Sequence, residues 1–374
     1  MSTVGIVAEY NPFHRGHARH LALVRQAAGR DAVVVVCMSG HWVQRGDCAV
    51  ADKWTRAATA ARFGADLVLE LPTPFALASA EFFARGSISL LVAAGVDTLS
   101  FGCETPGLAP LQALADALNH PAFDVNLAPL LAQGLSYPAA RQKAAESLLG
   151  PETAGLLAQP NNNLAVEYLR CLPSHIRPLP IHRPGAHDGP LADPASPSAA
   201  GVRALLRSGQ NADGYLPQPW SGPVYDLARL ERAILSRLRT MPVEELEALP
   251  DGSDGLAQRL WRSAQTAGSL EELWDAAKTK RLTHARVRRL TLRAFLPGGP
   301  VQSNYLRVLA MTPRGAAHLS GLRGACPLPV ITKPAQFQDL LAAESARTDQ
   351  FSLCAPVPLP CGEEFRHSPV LVEI

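Results

Sequence analysis

The chain has 374 residues, more than the roughly 250–300 at which one hydrophobic core stops growing, and this length predicts two domains. Hydrophobic residues make up 47% of the chain and charged residues 18%, a composition that excludes intrinsic disorder. The net charge of +2 excludes a uniformly basic protein, so a nucleic-acid partner has to be sought in local clusters of Lys and Arg.

Cysteine spacing and hydropathy indicate the cellular compartment of the protein. The seven cysteines are scattered, odd in number and without CxxC spacing, which argues against a disulfide framework and a zinc site. No run of about 18 apolar residues occurs, and the N-terminal segment lacks a basic region followed by a cleavage site. We therefore expect a cytoplasmic protein with no bound metal and no membrane partner.

Short apolar runs alternate with segments of helical period in the first hundred residues. The predicted strands are Val4–Ala8, Ala32–Met38, Asp66–Leu71 and Asp97–Phe101, and the predicted helices are His17–Ala28, Ala51–Phe63 and Glu81–Ala94. This alternation predicts a parallel sheet with helices on both faces, an α/β fold. Ligands of such sheets bind beyond the carboxyl ends of the strands, which places the Glu9–His17 loop, the Ser39–Gly46 loop and Gly102 along one rim.

The pattern changes in the second half of the chain. Further predicted elements are a helix starting near Pro160, a strand near Ile176–His182, a surface loop at 184–197 and a helix after Ser198. From about Asp213 strand-like runs vanish, and the predicted helical stretches are Asp226–Leu238, Leu270–Ala277 and Arg286–Phe295. We place a domain boundary near residue 215, with an α/β domain over 1–215 and a mainly α-helical domain over 216–374.

The first predicted strand runs into His14-Arg15-Gly16-His17, an HxGH motif, with Pro12 stiffening the turn before it. The free N–H groups at the start of the following helix form an anion site, and two imidazoles three residues apart can add N–H donors. Such donors stabilise the charge that develops when the α-phosphorus of a nucleoside triphosphate is attacked and pyrophosphate leaves. Taken alone, the motif is equally compatible with ordinary structural roles for both histidines.

Other motifs follow this one in a fixed order. They are Gly5–His17, Met38–Gly46, Asp52–Arg56, Asp66–Pro72, Ser79–Phe83 and Gly95–Glu104, followed by Pro160–Asn162, Arg183 and Ser198–Arg203, with weaker matches at Arg286–Leu290 and Tyr305–Leu309. With them the chain resembles the bacterial tRNA(Met) cytidine acetate ligase family over its whole length, most densely in residues 1–104. The resemblance implies a Rossmann-like HxGH nucleotidyltransferase domain with a parallel sheet, followed by a mainly α-helical, tRNA-binding C-terminal domain.

The resemblance also implies an activity. ATP and acetate would form acetyl-adenylate, and the acetyl group would pass to N4 of the wobble cytidine of elongator tRNA(Met), giving N4-acetylcytidine. Mg2+ would enter with ATP. His14, His17 and Arg203 would be catalytic, because the histidines reach the phosphates and Arg203 meets the departing pyrophosphate. The implied ATP-binding residues are Val7, Ala8, Glu9, Tyr10, Asn11, Pro12, Phe13, His14, Arg15, Gly16, His17, Ala18, Arg19, His20, Gly102, Asn162 and Arg183.

Some of these assignments have alternatives. Asn162 is suited to a purine edge or a ribose hydroxyl, but Asn161 or Asn162 as a helix N-cap is an open alternative. Ala165 and Ala200 depart from the family pattern, in which a Gly and a small hydroxyl residue are usual at these positions. These departures leave the detailed phosphate contacts open.

Two basic stretches have competing interpretations. The first, with Gln44, Arg45, Asp52, Lys53 and Arg56, either reaches an anionic ligand at the rim or forms a capped, solvated helix start. The second, Lys278–Arg293, has seven Lys or Arg and no acidic residue, and is either a solvated helix face or a surface for tRNA phosphates. The resemblance favours tRNA binding by Lys278, Lys280, Arg281, Arg286, Arg288, Arg289 and Arg293.

Two other functions stay open at this point. One is an HxGH adenylyltransferase that acts on a small phosphorylated cofactor precursor, and the long second domain with its basic stretch argues against it. The other is a nucleotide-binding regulator that has lost catalysis. The intact His14, Gly16, His17 and Arg203 argue against a regulator, because a binder does not need paired donors at the reacting phosphate.

Overall fold

A computed structural model describes residues 2–182, 194, 197–299, 304–322 and 324–373, so the expected loop at 184–197 lies largely outside the described residues. The strands are β1 Thr3–Ala8, β2 Val33–Ser39, β3 Trp42–Val43, β4 Asp47–Cys48, β5 Leu67–Leu71, β6 Thr98–Cys103, β7 Arg177–His182, β8 Leu306–Met311, β9 Val330–Ile331 and β10 Val370–Leu371. The α-helices are α1 Arg15–Ala28, α2 Lys53–Arg62, α3 Thr73–Ala76, α4 Ala80–Ala93, α5 Ala109–Asn119, α6 Pro121–Ala132, α7 Tyr137–Leu149, α8 Pro151–Gly155, α9 Pro160–Cys171, α10 Ala199–Arg207, α11 Glu231–Thr240, α12 Val243–Ala248, α13 Leu256–Ala264, α14 Leu270–Ala277, α15 His284–Phe295, α16 Pro313–Gly321, α17 Gln338–Ser352 and α18 Glu363–Arg366.

One sheet forms the centre of the molecule, with the strand order β10-β8-β5-β2-β1-β6-β7 and β9 beside β8. The strands β5, β2, β1, β6 and β7 are parallel, which confirms the predicted parallel sheet. In chain order these five run 3-2-1-4-5, the arrangement of doubly wound nucleotide-binding folds. The order reverses at β1, and a crevice is therefore expected between the carboxyl ends of β1 and β6.

Strand β2 explains why helices cover the sheet on both faces. All seven of its residues are buried, and successive side chains point to opposite faces. One set of alternate side chains packs with α4, α5 and α9, and the other set packs with α1 and α2. A strand that is apolar throughout needs an apolar neighbour on each face, which is the usual state of a parallel sheet.

Three strands of this sheet come from the second half of the chain. Strand β8 pairs antiparallel with β5, and β9 and β10 pair parallel with β8. The expectation that strands vanish after Asp213 is therefore wrong. A short apolar run such as that of β8 has no period that distinguishes a buried strand from a buried helix. The boundary near residue 215 stays a prediction, and the central sheet contains strands from both sides of it.

The helices after residue 215 surround a core of their own. Apolar side chains of α11 to α15 pack together, and Trp42, Cys48 and Phe351 join them from the β3–β4 hairpin and from α17. The mainly helical character predicted for this part is confirmed. Within the described ranges no helix is long and apolar enough to cross a membrane. A cytoplasmic location stays a prediction.

Four buried charged side chains connect the C-terminal segment to the sheet. Lys53 Nζ lies 2.6 Å from Glu70 Oε1 and 2.5 Å from Glu364 Oε2, and Arg307 Nε lies 3.2 Å from Glu364 Oε1. All four side chains are at most 2% exposed. Burial raises the pKa of Glu70 to about 7. Burial also opposes ionisation of Glu364, but the attraction of Lys53 and Arg307 outweighs it and lowers the pKa of Glu364.

These contacts decide between the two interpretations of Lys53. Its ammonium group is enclosed by carboxylates, so it neither reaches a ligand at the rim nor belongs to a solvated helix start. The capping role of Asp52 is confirmed, because its Oδ1 accepts the backbone N–H of Thr55 at 2.7 Å.

We predict that Lys53→Met lowers the free energy of unfolding by about 3–5 kcal/mol, because the change leaves the buried Glu70 without its cation and leaves Glu364 with Arg307 alone. Urea unfolding followed by circular dichroism measures the change. Lys143→Met, at an exposed position on α7, is the matched control and should shift stability by less than about 0.5 kcal/mol. Equal stability of the two variants would contradict the prediction.

Candidate functional site

A cavity of about 290 Å³ opens at the carboxyl ends of β1 and β6, where the strand order reverses. The turn after β1, the β3–β4 turn and the first residues of α9 and α10 form its walls. The structure thus brings the three expected parts of the rim together. Of the residues predicted for the site, those that line the cavity are Val7, Ala8, Glu9, Tyr10, Asn11, His17, His20, Gly102 and Arg203.

The two histidines of the HxGH motif form a stacked pair at the start of α1. Their ring centroids lie 3.6 Å apart with an interplanar angle of 19°. His14 is the buried N-cap residue, and its backbone N–H donates to His17 Nδ1 at 3.2 Å. Because Nδ1 accepts, the proton of a neutral His17 ring belongs on Nε2. His17 is thereby an N–H donor at the cavity wall, and His14 supports it from behind.

The remaining residues of the predicted ATP-binding run lie outside the cavity lining. Pro12 and Phe13 border a smaller cavity beside residues 216–221, and Arg15 Nε donates to the carbonyl oxygen of Leu216 at 3.1 Å. On α1, residues 17 and 20 share one face, so Ala18 and Arg19 point elsewhere. Gly16 is buried within the first turn of the helix. Contact of these residues with ATP stays a prediction.

Arg203 reaches the turn after β1 from α10. Its Nη1 donates to the carbonyl oxygen of Asn11 at 2.6 Å, and burial lowers the pKa of its guanidinium although Glu9 and Asp47 attract the charge. The side chain of Asn11 in turn accepts the backbone N–H of Val50 at 2.8 Å. A guanidinium therefore lies in the cavity wall beside the HxGH turn, and its contact with phosphate stays a prediction.

The β3–β4 turn forms another wall of the cavity. Glu9 Oε1 accepts the backbone N–H of Gln44 at 2.8 Å, and both Gln44 and Arg45 line the cavity. The next residue, Gly46, has φ +74° and packs closely on α15, where an added Cβ would lie 2.5 Å from Arg288 Cβ. Only glycine fits this contact. The C-terminal helices thereby support a wall of the cavity.

Arg56 has a structural role and does not make the ligand contact considered for it. The side chain is 2% exposed and donates to the carbonyl oxygens of Glu9 at 2.6 Å, Ser39 at 3.1 Å and Gly40. Burial lowers the pKa of Arg56 to about 10. A fourth carbonyl oxygen, that of Ala51, accepts from Nε at 3.1 Å, so backbone acceptors hold the guanidinium and Arg56 joins the ends of β1 and β2 beneath the cavity.

Asn162 also lies beneath the cavity and not in its lining. Its fully buried side chain accepts the backbone N–H groups of Glu104 at 2.9 Å and Thr105 at 3.2 Å. The helix N-cap residue is Gln159, so the alternative that Asn161 or Asn162 is the N-cap is wrong. Asn162 therefore shapes the segment that follows β6, and its direct contact with ATP stays a prediction. Arg183 lies outside the described residues.

Sequence reasoning missed an apolar part of the lining. Phe83, Phe101, Leu164 and Tyr168 face the cavity from α4, β6 and α9, and Ala200 faces it from α10. Apolar residue types carry no chemical signal of a site, and the one available hint was that Phe83, Phe101 and Ala200 lie within the matched motifs. A flat apolar wall suits a purine ring.

Most arginines of the basic stretch are engaged within the protein. Arg289 is buried, and its Nε lies 2.9 Å from Asp251 Oδ2, while Arg286 Nη1 lies 2.8 Å from Asp254 Oδ2. Arg293 donates to the carbonyl oxygen of Leu77 at 2.6 Å, and Arg288 lies 4.2 Å from the centroid of the Trp274 ring. Their contact with tRNA stays a prediction, and the exposed cations of the stretch are Lys278, Lys280 and Arg281.

A strand order of 3-2-1-4-5, with HxGH at the first turn and a cavity at the switch point, defines a nucleotidyltransferase-type α/β protein. The family model for HIGH nucleotidyl transferase matches residues 1–359. Across the described part of the chain, no group of three or more His, Cys, Asp or Glu residues could hold a metal ion.

Curated relatives and solved structures narrow the class to one family. The tRNA(Met) cytidine acetate ligase of Syntrophotalea carbinolica is 38% identical, over 94% of this chain and 90% of that protein. The protein of that name from Halalkalibacterium halodurans is 34% identical, over 100% of this chain and 98% of that protein. Thermotoga maritima TmcAL superimposes over the full length of both chains, with TM-score 0.91 and 29% identity for the apo form and TM-score 0.90 and 30% identity for the form bound with alpha-thio ATP. This chain belongs to the tRNA(Met) cytidine acetate ligase family.

We predict that Asn162→Ala lowers the free energy of unfolding by about 1–3 kcal/mol, because the backbone N–H groups of Glu104 and Thr105 lose their buried acceptor. It should also weaken ATP binding, since the segment after β6 loses its anchor. Denaturant unfolding and calorimetric titration with ATP measure the two effects. Asn126→Ala on α6 is the control for the loss of an amide, and equal ATP affinity and stability in both variants would contradict the prediction.

Proposed function

We propose that this protein activates acetate with ATP to acetyl-adenylate and then transfers the acetyl group to N4 of the wobble cytidine of elongator tRNA(Met). The observation that carries the proposal is the cavity at the switch point, with His17 and Arg203 in its lining. The names of its relatives and the alpha-thio ATP bound to the Thermotoga maritima protein support the same assignment.

The chemistry explains why two steps are needed. Free acetate has no leaving group, and the lone pair of the cytosine amine is delocalised into the ring. In the first step an acetate oxygen attacks the α-phosphorus of ATP, and the bond to pyrophosphate breaks. In the second step N4 attacks the acetyl carbon, and the bond to AMP breaks. The mixed anhydride with AMP thus supplies the driving force that acetate lacks.

The residues of the cavity suit the first step. The N–H groups at the start of α1 and the Nε2–H of His17 are donors for phosphate oxygens, and Arg203 adds a positive charge near the departing pyrophosphate. Gly102 and the apolar wall leave room for adenine and ribose. In this proposal Mg2+ arrives with the triphosphate and is not held by a cluster of protein side chains.

The basic stretch before and along α15 suits the second substrate. Its exposed residues Lys278, Lys280 and Arg281 can contact phosphates of tRNA without reading sequence. Helix α15 also packs on the turn after Gln44 and Arg45, so tRNA docked on this stretch lies near a wall of the cavity. An adenylyltransferase for a small cofactor precursor has no use for such a surface.

The proposal is tested by following both products. Purified protein should catalyse acetate-dependent exchange of pyrophosphate into ATP without tRNA. With tRNA added, nucleoside analysis should find labelled N4-acetylcytidine at the wobble position of elongator tRNA(Met). Exchange that does not depend on acetate, or label absent from cytidine, would contradict the proposal.

We predict that His17→Ala and His14→Ala each slow acetate-dependent exchange by about 10²–10³, because His17 donates to charge that develops in the transition state and the stacked His14 positions the His17 ring. ATP affinity should fall much less, since the donors act weakly on the ground state. Exchange rates and ATP titration separate the two effects. His318→Ala, on α16 and outside the cavity lining, serves as the control, and full exchange by the His14→Ala, His17→Ala double variant would reject the site.

We predict that Lys278→Glu with Lys280→Glu weakens tRNA binding and lowers the magnitude of its salt dependence by about 1–2 in the log–log slope. Acetate-dependent exchange should stay unchanged, because the exposed lysines are outside the cavity lining. Filter binding at several salt concentrations measures the slope. Arg30→Glu with Lys333→Glu changes the net charge equally at other exposed positions, and an equal loss of tRNA binding in both double variants would contradict a local docking surface.

A further inference from the structure

The cavity lining contains one carboxylate among the residues that the structure describes, and it belongs to Glu9. This residue follows the last residue of β1, in the same turn as Asn11, whose carbonyl oxygen holds Arg203. The carboxylate therefore lies at the end of the cavity where the proposed phosphate contacts are. An anion among phosphate-binding groups does not help to bind ATP or acetate. The presence of the Glu9 carboxylate at this position therefore needs a chemical explanation.

One oxygen of the Glu9 carboxylate is anchored by a hydrogen bond, and the other has no hydrogen-bond partner within the described residues. Oε1 accepts the backbone N–H of Gln44 at 2.8 Å, and the backbone carbonyl oxygen of Glu9 accepts from Arg56 Nη1 at 2.6 Å. The first donor is a backbone N–H group and the second is a buried side chain. The orientation of Glu9 is therefore rigid. Within the described residues Oε2 has no hydrogen-bond donor. It is available to a substrate.

Other titratable groups of the lining are less suited to accept a proton. His17 Nδ1 already accepts the N–H of His14, which leaves Nε2 as a donor. Burial raises the pKa values of the Tyr10 and Tyr168 phenols, so both stay protonated. His20 lies one helical turn farther along α1, and its Nε2 is 3.2 Å from Ser100 Oγ on β6. The charged groups nearest Glu9 on α10, α2 and the β3–β4 turn are Arg203, Arg56 and Arg45.

The two proposed steps differ in their need for a base. In adenylation a carboxylate attacks the α-phosphorus and pyrophosphate leaves, so no proton has to be removed. In transfer the N4 amine forms a bond to the acetyl carbon and must lose a proton, while the bond to the AMP oxygen breaks and AMP leaves with its electron pair. A proton acceptor beside the acyl phosphate is useful in the second step alone.

We propose that Glu9 is the general base of the transfer step, with its carboxylate accepting the proton of the attacking N4 amine. The inference rests on the proposed function. Glu9 later releases this proton to water, and no further reactant is needed. General-base catalysis of this kind contributes about 10²–10⁴ in rate.

The test measures the two steps separately in Glu9→Gln, which keeps the shape and the oxygen that accepts from Gln44 but cannot take up a proton. Acetate-dependent pyrophosphate exchange should fall much less than transfer, because adenylation removes no proton and Glu9→Gln keeps the contact with Gln44. Single-turnover transfer from enzyme-bound acetyl-adenylate to elongator tRNA(Met) should fall about 10²–10⁴, and its dependence on pH should be lost. Glu9→Asp should recover part of the transfer rate. Glu81→Gln, on α4 and outside the lining, should behave as wild type in both steps.

Each contrary result has a distinct meaning. Wild-type protein without acetate-dependent exchange overturns the proposed function and with it this role of Glu9. Intact exchange together with wild-type transfer and pH profile in Glu9→Gln overturns the base alone. Loss of exchange and transfer together in a folded Glu9→Gln variant assigns Glu9 to ATP binding and also overturns it. Should Glu9→Gln fail to fold, Glu9→Asp decides by the same two rates.

Discussion

Buried Lys53 connects the N-terminal half of the chain to its C-terminal segment. Lys53 on α2 lies between Glu70 on β5 and Glu364 on α18, and Glu364 also pairs with Arg307 on β8. Desolvating such charges is costly unless each one is paired, so the four residues are compatible with one arrangement only. This arrangement places β8 at the edge of the five parallel strands. The C-terminal segment is thus a structural part of the nucleotide-binding sheet.

The shape of the cavity depends on a second buried cation. Arg56 joins the carbonyl oxygens at the ends of β1 and β2, and β1 leads directly into the HxGH turn. Arg203 also holds this turn, because it donates to the carbonyl oxygen of Asn11. Because Gly46 packs on α15, the helical part of the protein supports the wall formed by the β3–β4 turn. A site for a small nucleotide is in this way connected to the surface proposed for a much larger substrate.

The first hundred residues could be interpreted reliably because their signals are local. Strand β2 is apolar throughout and must be buried on both faces, and the helices on either side of it show a clear period. The sequence was less informative where an element needs distant partners. Strand β8 is a short apolar run that becomes a strand only beside β5, and helices α5 to α8 were left unassigned. Lys53 and Arg56 had the residue types of an anion site, yet their partners are carboxylates and carbonyl groups.

The sequence by itself determined the fold class, the HxGH turn and the family, because periodicity and the order of motifs are properties of neighbouring residues. The tertiary structure alone decided which cations are available for a ligand. Arg289 and its partner Asp251 are 38 positions apart, and Lys53 and Glu364 are 311 positions apart. No local pattern reveals such pairs, since the free energy of an ion pair depends on distance and burial and not on separation along the chain.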